Sequence, residues 1–348
     1  MILENLKQIV DKNKNIESPL YLRNLLKESL QLYVLNYIYT SKYGSNFLFT
    51  GGTCLRICFD LPRLSEDLDF DLIDITQFNV YEFEKDIQDY FRKTLQYKDI
   101  TTKISKGERT MFLKFPILEK LGVNNNPAET NILFLRIDIT PMASTVYTKE
   151  LSIKSTHDFS FLINRYSLKD LFASKIAAII RKVFVKGKRD TPFKARDYFD
   201  LIWFMEKRIY PDYQRIGDLL KIYSKDEILQ LLNNKVENIN ISHLKEDLSP
   251  FIKDQEFASN FAEKYKVLYS TLTNTRIDYS KVDALSHTPV YRELEDLSRK
   301  YPQYEKMFSK ALHEEAVPNI KVMIQILLKN AEGLGDKELL KDLQEIRM

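Results

Sequence analysis

The sequence predicts an α+β chain: a mixed sheet with flanking helices up to about residue 165, then an all-helical domain from 166 to 348, forming a bilobed molecule. Three observations predict it. Short runs with strand character recur before residue 141, whereas the stretch from about 167 onward carries helical periodicity. Only nine glycines in 348 residues argue against a loop-rich all-β chain. The length suits two domains at roughly 100–200 residues each.

Composition sets outer limits. Hydrophobic residues make up 44% and charged residues 29%, the mixture of an ordinary globular protein. The net charge of +3 is too small to identify a partner. Cys54 and Cys58, four apart in one apolar segment, read as buried thiols in a reducing cytosol rather than a disulfide framework. No run of 18 apolar residues is present, so no membrane partner is expected, and the start of the chain does not read as a signal peptide.

Residues 19–41 repeat Leu22, Leu26, Leu30, Tyr33 and Tyr37 at helical spacing. Asn46 to Thr50 reads as a short buried strand, broken by Gly51-Gly52 and followed by a helical turn from Thr53 to Phe59. Asp67 to Leu72 alternates acidic and apolar residues, the pattern of a half-buried strand. A helix is expected over about 80–97 and strands near 100–105, 110–117 and 131–140, with a loop at Asn124 to Pro127 between the last two. Helices follow at 168–185, 195–208, 213–223, 225–234, 255–273, 290–299, 303–314, 318–331 and 336–347.

The strongest chemical signal is Gly51-Gly52-Thr53, thirteen residues, then Asp67-Leu68-Asp69-Phe70. Period two puts Asp67 and Asp69 on one strand face. Their mutual repulsion is relieved by a hard divalent cation, and Mg²⁺ (or Mn²⁺) suits one or two carboxylates plus substrate phosphates. A glycine turn admits a phosphate close to backbone N–H groups, and Thr53 adds a hydroxyl at a helix start. Asp71 continues the face and reads as solvent-exposed, with an extra metal ligand as the alternative. In Phe134 to Thr140, Asp138 either joins Asp67 and Asp69 in the metal set or pairs with Arg136 on its own face.

Phe49-Thr50-Gly51-Gly52-Thr53-Cys54-Leu55-Arg56 and Arg63-Leu64-Ser65-Glu66-Asp67-Leu68-Asp69-Phe70 resemble the AbiEii/AbiGii family of bacterial toxins, within the polymerase-β-like nucleotidyltransferase superfamily. The match is dense over about 25 residues and extends to a second block: Lys175 on a helix, then Arg196-Asp197-x-x-Asp200-Leu201. The resemblance implies a metal-dependent transfer of a nucleotide from a nucleoside triphosphate, and a toxin with a cognate antitoxin. It also implies an RNA acceptor such as tRNA.

Several residues then acquire expected roles. Phe172, Ile176, Ile179, Ile180 and Val183 form an apolar stripe, leaving Lys175 off its centre and able to reach phosphates. Asp197 orients Lys175 or serves as general base. Gly51, Gly52, Thr53, Arg56, Ser65 and Arg181 complete the nucleotide-binding set. For Arg56 a pairing with Glu66 is the alternative, and for Ser65 a structural cap. Asp200 is expected to pair with Arg196 at helical spacing. The histidines His157, His243, His287 and His313 lack ligand spacing, and Trp203 reads as core. Residues 181–196 hold seven basic side chains and one acid, and Lys186, Lys188 and Arg189 are the expected RNA contacts. Three other readings stay open: transfer to a protein or small molecule, nucleotide binding without turnover, and a glycosyltransferase, which the nearby Gly-Gly turn disfavours.

Overall fold

The computed structural model of the chain describes residues 2–14, 18–123, 130–181, 193–276, 289–304, 307–308 and 320–346. They form two compact units, Met1–Tyr265 and Lys266–Met348. The first contains one seven-stranded sheet. Its strands are β1 (Phe47–Thr50), β2 (Asp67–Leu72), β3 (Thr101–Ile104), β4 (Thr110–Pro116), β5 (Ile132–Pro141), β6 (Lys149–Ser155) and β7 (Ser160–Tyr166). The order is β3-β4-β5-β2-β1-β7-β6. β2 runs parallel to β5 and β1 to β7, while the other four neighbouring pairs are antiparallel, so the sheet is mixed as expected.

The edge hairpin of β6 and β7 has no counterpart in the sequence reading. β6 is exposed along most of its length, with polar Ser152 and Lys154 half-buried and apolar Leu151 and Ile153 exposed, the reverse of the pattern a sequence reading looks for. The five strands expected from sequence are all present.

Helices α1 (Ile2–Lys12), α2 (Pro19–Thr40), α3 (Gly51–Phe59), α4 (Val80–Asp89), α5 (Leu168–Arg181), α6 (Ala195–Glu206), α7 (Tyr213–Leu220), α8 (Lys225–Glu237) and α9 (Ile241–Leu248) belong to the same unit, and α10 (Gln255–Arg276) begins in it. Among these, α1 and α9 were not anticipated. α2 starts where its chemistry dictates: the Ser18 hydroxyl accepts the Tyr21 amide at 3.3 Å, and Pro19 opens the first turn. Leu26, Leu30, Val34 and Ile38, each four residues on, are fully buried. The helix expected over 80–97 ends as α4 at Asp89 and continues as one π turn, Tyr90–Thr94.

Burial fixes the orientation of β2. Leu68, Phe70 and Leu72 are buried while Asp67, Asp69 and Asp71 alternate with them. The Phe70 ring lies 5.3 Å from Phe47 and 5.2 Å from Phe49, stacked on the latter. Each such side chain contributes about 1.5–3 kcal/mol on burial. A one-residue slip would exchange the two faces, so this aromatic cluster holds the acidic face in register. α5 and α6 are locked by Phe172 stacked on Phe204 at 4.3 Å, with Ile176 and Ile179 buried beside them. Val183 lies outside the described residues, as does the loop at Asn124 to Pro127.

In the second unit, α11 (Pro289–Lys300), α12 (Ile320–Leu334) and α13 (Lys337–Glu345) surround a core that includes Leu294, Tyr301, Phe308, Leu327 and Leu339. The Asp336 carboxylate caps α13 by accepting the Glu338 and Leu339 amides at 3.1 and 3.0 Å. Of the helix expected over 303–314, the described residues show a 3-10 turn at Pro302–Tyr304 and helical residues 307–308. No helix among the described residues is long and apolar enough to cross a membrane.

Candidate active site

β2 sits between β1 and β5, and register gathers the acids. Asp69 pairs with Thr50 on one side and with Asp138 on the other, and Asp67 pairs with Arg136. Residues paired in register point to the same face, so Asp67, Asp69 and Asp138 share one. Asp71 is on that face too, but its carboxylate is occupied: the Tyr166 hydroxyl donates to it at 2.6 Å and the Thr140 hydroxyl at 2.8 Å.

The turn into α3 packs directly on this face. Gly51 has φ +79°, and a Cβ there would stand 2.1 Å from Asp69 Oδ2. A Cβ on Gly52 would meet the Arg63 guanidinium at 2.8 Å and the Ser65 hydroxyl at 3.0 Å. Glycine is therefore required at both positions for the backbone to approach. Thr50, at the N-cap of α3, makes no side-chain capping bond, so the first amides of the helix keep their donors for another acceptor. The Thr53 hydroxyl is buried and donates to the Asp67 carbonyl, anchoring the acidic strand at its first residue.

Charge is concentrated here without full compensation. Burial, with repulsion from Asp67 and Asp138, pushes the Asp69 carboxyl up to about 6, against a smaller pull from Lys175 and Lys194. Burial and the neighbouring Glu66 also raise Asp67, and Arg196, Arg136 and Lys194 oppose them. Asp138 is better satisfied. Its Oδ1 accepts from the Thr110 hydroxyl at 2.7 Å and from Arg136 Nε at 3.0 Å, and Arg136 Nη2 lies 2.9 Å from Oδ2.

Facing these carboxylates, α5 contributes Leu171, Ser174, Lys175 and Ala178, spaced to fall on one helical face. Lys175 Nζ lies 2.9 Å from Asp197 Oδ1 and 2.8 Å from Asp200 Oδ2. Burial alone would lower the lysine, but the two carboxylates outweigh it and raise it, so it stays charged. Asp200 is shared: Arg63 Nε and Nη2 donate to its two oxygens at 2.7 Å each, in a fully buried bidentate pair. The expected Asp200–Arg196 pair does not form. Arg196 turns instead to Glu66 at 3.0 Å, and Glu66 also receives Lys27 at 3.2 Å. Helical spacing permits an i,i+4 bond, but tertiary packing brings Arg63 closer.

Between the two walls lies a cleft of about 500 Å³. Of the residues singled out in the sequence, Gly51, Gly52, Asp69, Asp138, Lys175 and Asp197 line it. Asp67 is one strand step from Asp69 on the same face. Four others are placed elsewhere. Thr53 is committed to the Asp67 carbonyl and Ser65 is buried behind Gly52. Arg56 does not reach Glu66: it forms a two-pronged pair with Glu28, at 2.7 and 3.2 Å, and donates to the Leu61 carbonyl. Arg181 donates to the Leu219 carbonyl. The basic stretch expected to meet RNA lies outside the described residues from 182 to 192, including Lys186, Lys188 and Arg189.

The cleft adds residues that the sequence did not single out: Arg109, Thr110, Ser174 and Lys194. Lys194 reaches the site from the N-cap position of α6. Arg109 is delivered by the register of β4 against β5, which pairs Thr110 with Asp138. No periodicity reports such a pairing.

Among the described residues, no group of three or more His, Cys, Asp or Glu side chains is arranged to hold a metal. The donor set that fits a hard divalent cation is the pair Asp67 and Asp69, under-neutralised and overhung by a glycine without a side chain, with phosphate oxygens to supply the remaining ligands. His157 is exposed beside Asp158, and His243 Nε2 lies 3.0 Å from the Phe193 carbonyl oxygen. His287 and His313 lie outside the described residues. Cys54 and Cys58 are free thiols, the first buried, and Trp203 is core.

Residues 33–287 match the family model of the nucleotidyl transferase AbiEii toxin of type IV toxin–antitoxin systems. No curated protein matches the chain. Similar solved structures include a provisionally assigned nucleotidyltransferase from H. pylori, 16% identical over 72% of this chain and 96% of that one, with a TM-score of 0.35. Another is JHP933 from Helicobacter pylori, 17% identical over 76% of this chain and 98% of that one, also with a TM-score of 0.35.

Proposed function

The chain belongs to the AbiEii family of type IV toxin–antitoxin nucleotidyl transferases, and from that premise we propose that it transfers a nucleotide from a nucleoside triphosphate to RNA, at the cleft between β2 and α5. The family implies a cognate antitoxin and a nucleoside triphosphate substrate. The observation that carries the site assignment is the pairing of Asp69 with Asp138 in register, under a glycine turn and opposite Lys175.

Asp67 and Asp69 would hold a divalent cation such as Mg²⁺ or Mn²⁺, which would supply charge neutralisation to the phosphate chain. Asp138, on the same face in register with Asp69, would complete the donor set. The free amides at the start of α3, beside Gly51 and Gly52, donate to phosphate oxygens. Lys175 presents its ammonium group to the cleft, and Asp197 fixes where that group sits. The acceptor hydroxyl attacks the α-phosphorus and gives up its proton to solvent: one O–P bond forms, the bond to the β-phosphate bridge breaks, and pyrophosphate leaves.

Residue 165 serves as a functional boundary in this scheme, because the carboxylates precede it and Lys175 and Asp197 follow it within the same compact unit. The RNA acceptor, with the tRNA 3′ end as its specific form, rests on the family resemblance and on the basic stretch 175–215, which carries 11 basic and 5 acidic side chains.

Incubation with each α-³²P nucleoside triphosphate, total RNA, cell protein and a divalent cation tests the reading. Label in RNA of tRNA size supports it, and label in protein alone moves the acceptor class. Absence of label in any fraction removes turnover.

A further inference from the structure

Not every positive group that lines the cleft is paired with one of its carboxylates. Arg136 is committed to Asp138, and Lys175 to Asp197 and Asp200. Arg63 and Arg196, just behind the walls, are committed to Asp200 and Glu66. Two cations that line the cleft remain. Arg109 precedes β4 on the sheet side, and Lys194 is the N-cap of α6 on the helix side. Both are exposed, and neither side chain takes part in a hydrogen bond, ion pair or ring contact among the described residues.

Position separates them from ordinary surface cations. Lys194 lines the same cleft as Asp69 and Asp197, from the N-cap of α6. Arg109 is adjacent to Thr110, whose hydroxyl holds Asp138. An unpaired cation beside a carboxylate cluster normally closes onto it. Here Asp138 is engaged by Thr110 and Arg136, and Asp197 by Lys175, while among the described residues neither Arg109 nor Lys194 forms an ion pair with a cleft carboxylate.

We propose that Lys194 and Arg109 form the triphosphate-binding pair of this enzyme, closing on the phosphate chain from the helix wall and the sheet wall. Lys194 takes the phosphate oxygens nearest Asp67 and Asp69 as a point charge. Arg109 takes the outer phosphates with its planar fork. This assignment rests on the nucleotidyl-transfer reading of the cleft, and it adds two residues to those the sequence supplied. It also accounts for the commitment of Lys175 to two carboxylates, which fixes that ammonium in place while the two free side chains adapt to an incoming anion.

Inorganic tripolyphosphate is the test probe, because it carries the phosphate chain without base or sugar. Its dissociation constant is measured by calorimetry for the full-length protein, beside KM for the nucleoside triphosphate in the transfer assay. Lys194→Gln and Arg109→Gln are each expected to weaken tripolyphosphate and to raise KM by roughly tenfold, with the double variant weaker still and less salt-dependent. Lys194→Arg restores most of the affinity. Melting temperatures stay unchanged, since neither side chain has a partner to lose.

Lys106→Gln is the control, because this exposed lysine lies in the β3–β4 connection and does not line the cleft. An unchanged dissociation constant in Lys194→Gln or Arg109→Gln overturns the role of that residue. An equal loss in Lys106→Gln overturns the pair by showing that the effect is bulk charge. If the wild-type protein transfers no nucleotide yet binds tripolyphosphate through these two residues, the binding site stands and the transfer reading falls. Wild-type protein that fails to bind tripolyphosphate overturns the site.

Discussion

Gly51 and Asp69 are packed so closely that a methyl group on the glycine would lie 2.1 Å from the aspartate Oδ2, well inside contact distance. The glycine is also in the left-handed region, at φ +79°. Gly51→Ala therefore faces two penalties: about 1 kcal/mol or more of backbone strain, and a forced displacement of Asp69. The expected outcome is a protein that still folds, with a lower melting temperature and no measurable nucleotide transfer. Wild-type transfer by Gly51→Ala would show that Asp69 does not need its observed position.

Asp69→Asn tests the carboxylate itself. In the unfolded chain this group titrates near 3.8, and in the fold near 6. Between those values the unfolded chain releases a proton that the fold retains, so without metal the contribution of Asp69 to stability falls as pH rises from about 4 to about 6 and then levels off. Melting curves in chelator across this range should show the decline in the wild type and a reduced one in Asp69→Asn. A divalent cation should restore wild-type stability most at pH 7, where the carboxylate is ionised. In Asp67→Asn and Asp69→Asn alike, transfer is lost while the fold remains.

Lys175 is more deeply integrated than an off-stripe helix lysine. Sequence spacing alone suggests that its removal spares the fold. Its ammonium, however, separates Asp197 from Asp200, and Asp200 is fully buried. Lys175→Met leaves Asp197 and Asp200 without the ammonium that bridges them, at an expected cost of about 3–5 kcal/mol. Urea denaturation measures this directly. A loss below 1 kcal/mol would mean that the network relaxes around the gap. A pair of substitutions, Lys175→Met with Asp197→Asn, should recover part of the stability without recovering transfer.

Thr53→Val removes the hydroxyl that anchors the Asp67 carbonyl while keeping the shape of the side chain. The expected cost is about 1 kcal/mol for the lost hydrogen bond. Because the bond holds the first residue of β2, apparent affinity for the divalent cation should weaken alongside, seen as a higher cation concentration for half-maximal transfer. An unchanged cation requirement would confine Thr53 to a packing role.

How far the sequence reveals this protein depends on the range of each interaction. Alternation in β2 and the four-residue spacing in α2 are local, and both elements are where the sequence places them. The acid pair and the glycine turn are local signals too. Partner choice is not local. Asp200 has Arg196 at helical distance in the sequence but takes Arg63 from 137 residues away, and Arg56 takes Glu28 rather than Glu66. Arg109 is invisible for the same reason, since its place depends on how β4 registers with β5. The exposed β6 is missed on different grounds: a strand with one free edge, polar side chains half-buried and apolar ones exposed reverses the pattern a sequence reading looks for.

The buried fork between Arg63 and Asp200 also governs the order in which a growing polypeptide becomes dangerous. Arg63 leaves the ribosome early and carries a charge that the interior cannot tolerate unpaired, whereas its partner arrives 137 residues later. Until that point the acidic strand, the glycine turn and the lysine helix cannot settle into their final arrangement, and a prematurely terminated product should be inert. A ribosome-release series ending at successive codons between 165 and 265 should show protease resistance and transfer activity appearing together, only once the segment containing Asp200 is free to fold.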